Sequence, residues 1–309
     1  MLTATLPDNA TVEDTLEDTL EALELRLKTI LPEEYQDNYE DVEPVSMGSA
    51  SLQYLSNGLV AWNQIWASFC DLAMAGGPPH KGTFLEPGTR AEIEAHPERY
   101  RLATLEICRG VEMATGLKAA PSTDPGWVRV YCESAAMAQW LVRAIIMENI
   151  AARCSGAILE LPSGPHFRVA KEIKNVVTAI AKTCHYWLGH IWPAQQTEIA
   201  ELFATMAADL PVQEPAWSGD EDHGRKLGIA IEQATGLRAT NYRYATWVGL
   251  ECGEVHKAIW MMRALVVSNV LSRREGTTLF LPINPKAGCD SVVNALARVQ
   301  GFAATRGIL

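Results

Sequence analysis

A stretch between His166 and His190 is densely set with side chains able to do chemistry in this 309-residue chain. Lys171, Asn175, Thr178, Lys182 and His185 follow one another at spacings of 4, 3, 4 and 3, which places them on one face of a helix. Two lysines and a histidine in one row suit an anionic ligand such as a phosphate or carboxylate. His166 and Arg168 stand where the helix N-terminus would add its partial positive charge. Val169, Ile173, Val176, Val177, Ile180 and Cys184 supply a separate, apolar stripe for burial. His80 and Lys81 lie in the segment Gly76-Gly77-Pro78-Pro79-His80-Lys81-Gly82. Its glycines and prolines dictate a special backbone path, of the kind that carries function on a rigid scaffold. His185 and His80 are the acid–base candidates, because imidazole titrates near neutral pH. Cys132 ends a strand just before a helix N-terminus, where a thiol can be activated or an anion held. Without a ligand, the row is a solvated helix face, the loop an ordinary turn and Cys132 a small buried residue.

Metal binding is disfavoured. His185 and His190 fall about 140° apart on a helical wheel, and Cys184 is adjacent to His185 rather than on its face. Asp220-Glu221-Asp222-His223 reads as an acidic helix start. No Walker loop, dinucleotide fingerprint, GxSxG or HExxH occurs, so no cofactor is named.

The elements that must position these residues follow from a repeat. Residues 112–165 recur at 232–285 with an offset of 120, and twenty of the fifty-four positions are identical. Chance would give roughly one in fifteen, so the expectation is a tandem duplication forming a pseudo-two-fold body. The first copy reads as a helix over 97–115, a strand over 127–132, a helix over 135–153, a strand over 157–162 and a helix over 168–190. The second reads as a helix over 223–235, strands over 247–252 and 277–282, and helices over 254–273 and 288–303. The fold class expected is α/β, with α+β possible, built from two α-β-α-β-α units. A strand, a long helix and a strand predict parallel pairing. Ile65, Phe69 and Ala73 match Ile199, Phe203 and Ala207 as a helix leading into each copy.

Residues kept in both copies read as scaffold. Among them Arg143/Arg263 sits in mid-helix, and Glu112/Glu232 is expected to be its carboxylate partner. The His/Lys helix and the Gly-Pro-His loop are unique to the first copy, which makes that copy the expected seat of any chemistry.

The charge is unevenly placed. Residues 1–43 hold thirteen acids and two bases, whereas the remainder holds twenty-four of each. An acidic arm over 1–45 therefore precedes copy 1 (46–192) and copy 2 (193–309). Thr11 is its candidate N-cap, and Leu16, Leu20, Leu23, Leu27 and Ile30 form a stripe that docks on the body or meets a basic partner. Pro32 to Pro44 reads as a linker. A net charge of −11 argues against nucleic acid. No apolar run is long enough to span a bilayer, no secretory signal is visible, and seven cysteines without a CxxC fit a cytoplasmic chain. Two functions are expected to compete: binding of an anionic small molecule in copy 1 with histidine acid–base chemistry, or assembly with a protein partner through residues 1–45.

Overall fold

A computed structural model describes residues 12–42, 51–65 and 71–308. Helix α1 (Val12–Thr29) leads into the body, and α2 (Arg90–Ala95) and α3 (Pro97–Thr115) precede the first sheet. There β1 (Ala119–Pro121) and β2 (Trp127–Tyr131) come first, then α4 (Ala135–Met147), β3 (Arg153–Ser155) and β4 (Ile158–Pro162). Helices α5 (Lys174–Gly189), α6 (Pro193–Asp209) and α7 (Glu221–Thr235) lead to the second sheet. It is built from β5 (Ala239–Tyr244), β6 (Trp247–Glu251), α8 (Val255–Val266), β7 (Arg273–Glu275) and β8 (Thr278–Pro282), and α9 (Asp290–Thr305) follows. The protein is thus a mixed helix-and-sheet molecule, and none of its described helices is long and apolar enough to cross a membrane.

Both sheets are antiparallel, in the orders β1-β2-β4-β3 and β5-β6-β8-β7. The expected parallel pairing is therefore overturned. The cause is two short strands that the periodicity missed, β3 and β7. Each runs straight into a turn at a left-handed glycine, Gly156 or Gly276, and the turn reverses the chain before β4 or β8. The long helix therefore delivers its chain to the outer strand, and the returning strand meets β2 or β6 head to tail. Registers correspond closely: Trp127 opposes Pro162 and Trp247 opposes Pro282.

Helix α4 is buried nearly all round, in keeping with its run of Leu, Val, Ile and Met. Ser134 caps its start by accepting from the Met137 amide. Its end is set by Asn149, one of two non-glycine residues in the left-handed region among the described residues (φ 60°); the other is Asn269 (φ 58°). Each asparagine is tied across to the other half. Arg143 donates to Asn269 Oδ1 at 2.7 Å, and Arg273 donates to Asn149 Oδ1 at 3.2 Å. Asn149 Nδ2 donates to the Lys81 and Arg274 carbonyls at 2.9 and 2.8 Å.

Arg143 is fully buried, as its mid-helix position implies, but Glu112 is not its partner. The guanidinium is met by the Gln139 carbonyl, Asn269 and the Phe203 ring, 4.1 Å from its centroid. Glu112 instead accepts from the Ala119 amide, closing the turn after α3. Burial pulls the Arg143 pKa down to about 10. The N-terminal segment is packed down as well. Leu23, Leu27 and Ile30 are buried, Trp140 Nε1 donates to the Ile30 carbonyl, and Arg306 pairs with Glu24 and Glu40. Tyr35 and Tyr39 are buried too, so residues 32–42 are not a free linker. Residues 66–70 of the leading helix expected at 65–73 lie outside the described residues, and the chain on either side forms short 3-10 turns, Trp62–Gln64 and Ala73–Ala75. Thr11, Pro44, Phe69 and the Leu16 side chain lie outside the described residues.

Asn149→Ala should cost about 2–4 kcal/mol in urea unfolding, since it strands two buried carbonyls and strains the backbone. Asn149→Gly relieves the strain alone and should fall between Ala and wild type; an Ala variant as stable as wild type would show that this corner holds nothing.

Candidate functional site

The Gly-Pro-His loop is shaped at its start by two glycines. Gly76 takes φ 105°, and a Cβ on Gly77 would lie 2.2 Å from the Asp71 carbonyl oxygen. This tight path delivers His80 to the end of α4. There Glu148, completely buried, accepts from the His80 amide at 2.6 Å and the Ala73 amide at 3.2 Å, while its own carbonyl accepts from the Lys81 amide. The same carboxylate binds Lys182 Nζ at 2.6 Å, and the lysine side chain is 1% exposed. One carboxylate thus fastens the loop, α4 and α5 together. The pairing is charge-assisted at both ends and has two amide donors besides, which is what a buried ion pair needs to offset its desolvation.

The His80 imidazole is buried beside this pair. Burial, with Lys182, Lys174 and Lys81 close by, brings its pKa down to about 3, so the ring is neutral at physiological pH. The Asn175 side chain stands against the ring and favours its protonated form, but burial outweighs it. Both ring nitrogens and the Thr178 hydroxyl are buried without a hydrogen-bond partner. Further along the same helix, Tyr186 meets the Tyr35 hydroxyl at 2.7 Å, and Tyr35 donates to Asp71.

The structure therefore divides the residues that the sequence grouped. His80, Asn175 and Lys182 come together, with Lys81 at the loop's edge. Lys171 is exposed. His166 and Arg168 are exposed and line a separate cleft of about 500 Å³ with Arg99 and Phe167. The helix start beside them begins with a π-type turn, Val169–Ile173. Glu172 fills it by accepting from the Arg168 amide and guanidinium at 3.0 Å, so a carboxylate of the chain already takes the place expected for a ligand. His185 faces outward, and no described contact joins it to His80. Its ring instead meets His190 at 3.2 Å, because α5 ends at Gly189 and His190 leaves the helical path. The 140° separation expected on a regular helix is thereby closed. The other His190 nitrogen meets Glu34, so the three groups do not converge on one point. Among the described residues no cluster of three or more His, Cys, Asp or Glu is arranged to hold a metal. Burial and the neighbouring Cys154 push the Cys132 thiol up to about 12, the reverse of activation.

Two features escaped the sequence reading. Glu148 is the pivot of the site, yet its counterpart in the repeat is Ser268, so comparison of the copies gave it no weight. The segments 85–88 and 213–216 also correspond, at an offset of 128 instead of 120. Leu85 bridges Ile150 and Gln213 bridges Val270, and the Gly88 and Ala216 amides donate to the Ser163 and Ile283 carbonyls. The shared Glu-Pro at 86–87 and 214–215 was the available signal. Comparison with protein-family models, with curated proteins and with solved structures finds no match for this chain.

Lys182→Met leaves Glu148 buried and uncompensated and should cost about 3–5 kcal/mol. Adding Glu148→Gln should recover part of that in the same chemical-unfolding assay; equal stability of wild type and the single variant would refute the pairing. The His80 pKa lies below the ordinary 6.5, so the unfolded chain binds a proton that the folded chain refuses. The stability contributed is fully present above about pH 6.5 and drains away as pH falls toward about 3. Between these limits His80→Asn should flatten the pH dependence of the unfolding free energy by up to about 1.4 kcal/mol per pH unit.

Proposed function

We propose that the protein binds a small oxyanion-bearing molecule, a carboxylate or phosphate, against the loop 76–82 and helix α5. The observation that carries this reading is the set of buried polar atoms without partners at His80 and Thr178, on a wall that holds three lysines. Each such atom costs about 1–3 kcal/mol if left unsatisfied. Native structures rarely keep several together unless something bound completes them. An oxyanion accepts from the Thr178 hydroxyl, the Asn175 amide and an imidazole N–H. His80, being neutral, offers one donor and one acceptor, and the acceptor nitrogen is the natural general base for a bound acidic C–H or O–H. A bound negative charge would raise the His80 proton affinity, which couples binding to proton uptake.

The scaffold for this site is, in the same reading, a tandem duplication. Matching strand registers and the reciprocal Arg–Asn bonds between halves support it. Only the first copy carries the His80 loop, so ligand binding is a property of that copy, with the second as its structural partner. The unpaired cysteines among the described residues fit a cytoplasmic setting.

Thermal unfolding in phosphate, sulfate or oxalate, against chloride at equal ionic strength, tests the reading. At least one oxyanion should raise the midpoint for wild type and fail to do so for Thr178→Val and Asn175→Leu. No shift with any of the three anions, or a shift that survives both substitutions, would remove the proposal.

A further inference from the structure

The two sheets carry one arginine each at matching positions, Arg153 in β3 and Arg273 in β7, and each faces the Glu-Pro segment of the opposite half. Arg273 is completely buried and stands over four rings, Phe84, Tyr244, Trp247 and Phe280, at 4.1 to 5.1 Å from their centroids. The Tyr244 hydroxyl donates to Glu275 at 2.6 Å and accepts from the Phe84 amide at 3.1 Å. This half fills the space beside its arginine with its own phenol.

In the first sheet the matching side chains are shorter and acidic. Arg153 stands 4.2 Å over the Trp127 ring, but the positions matching Tyr244 and Phe280 are Asp124 and Glu160, which both pair with Arg153. Strand β1 stops at Pro121, whereas β5 runs on to Tyr244. The result is a cleft of about 740 Å³ between the halves, lined among others by Trp127, Arg153, Glu214 and Trp217. That volume lies in the range of small-molecule sites.

We infer that this cleft is a second ligand site, one that takes an aromatic carboxylate. The ring would occupy the place that Tyr244 takes in the other half, against Trp127 and Arg153. Trp217, edge-on to Trp127 at 5.0 Å, adds a second aromatic wall to the cleft. Arg90 and Lys286 line the same cleft, are exposed, and have no ion pair among the described residues, so they are placed to receive the carboxylate. Asp124 and Glu160 already neutralise Arg153, which leaves it to act as a flat stacking surface. Burial raises the Glu214 pKa, and the nearby Arg153 opposes that rise. The inference stands on the paired sheets and is independent of the His80 site.

Fluorine NMR with a panel of fluorinated benzoate, phenylacetate, cinnamate and indole carboxylate tests it on the full chain. At least one member should broaden in the presence of wild type, and cyclohexanecarboxylate should compete at least tenfold more weakly than its aromatic analogue. Ser218→Trp, which fills the cleft from an exposed position, and Arg90→Glu with Lys286→Glu should each weaken binding tenfold or more. The inference is overturned if no member broadens, if Ser218→Trp has no effect, or if the saturated acid competes equally.

Discussion

The interaction on which the candidate site depends is the buried ion pair between Glu148 and Lys182. A carboxylate at the end of an apolar helix, with no exposure to water, is tolerable only if its oxygens are fully met. Lys182 and the amides of Ala73 and His80 meet them. The same bonds that satisfy Glu148 fix the loop after Asp71, and the next residue, Asn149, reaches across to the second half. Removal of the carboxylate would therefore release the loop, α5 and part of the contact between halves together. The buried His80 ring is a consequence of this arrangement. It is carried in by a loop whose course is set by the backbone, and it loses its proton because lysines and low-dielectric surroundings oppose the charge.

A second theme is reciprocity. Asn149 and Asn269 hold left-handed turns at the ends of α4 and α8, and each is bonded by an arginine from the other half. Glu86 and Glu214 likewise face Arg273 and Arg153, and burial raises the pKa of both acids. Sites of the same plan are finished differently: one is packed with aromatic rings, and the other is open. The open cleft and the His80 cluster both involve the first sheet's half of the chain and share none of the residues named for either.

Much of the helical framework was legible in the sequence because the apolar spacing of α3, α4 and α5 and the glycine stops after α3 and α7 are strong local signals. Strand direction was not. Arg153–Ser155 and Arg273–Glu275 are three residues each and too polar to show periodicity, yet they reverse the topology. The row on α5 was visible by spacing, but a helix of that length turns, and its members met different fates. Lys182 entered the core because Glu148 awaited it, whereas His185 emerged at the surface beside His190. Such outcomes depend on partners distant in sequence, and spacing along one helix carries no record of them.

The His80 ring offers the most direct measurement. Nitrogen-15 NMR of the ring across pH 4 to 8, with and without phosphate, reads both its protonation and its contact with an anion. The account predicts a neutral ring across the range without phosphate, and a ring nitrogen shift with an upward-moving titration once phosphate is present. A His80 that titrates at the ordinary imidazole value and ignores phosphate would contradict it.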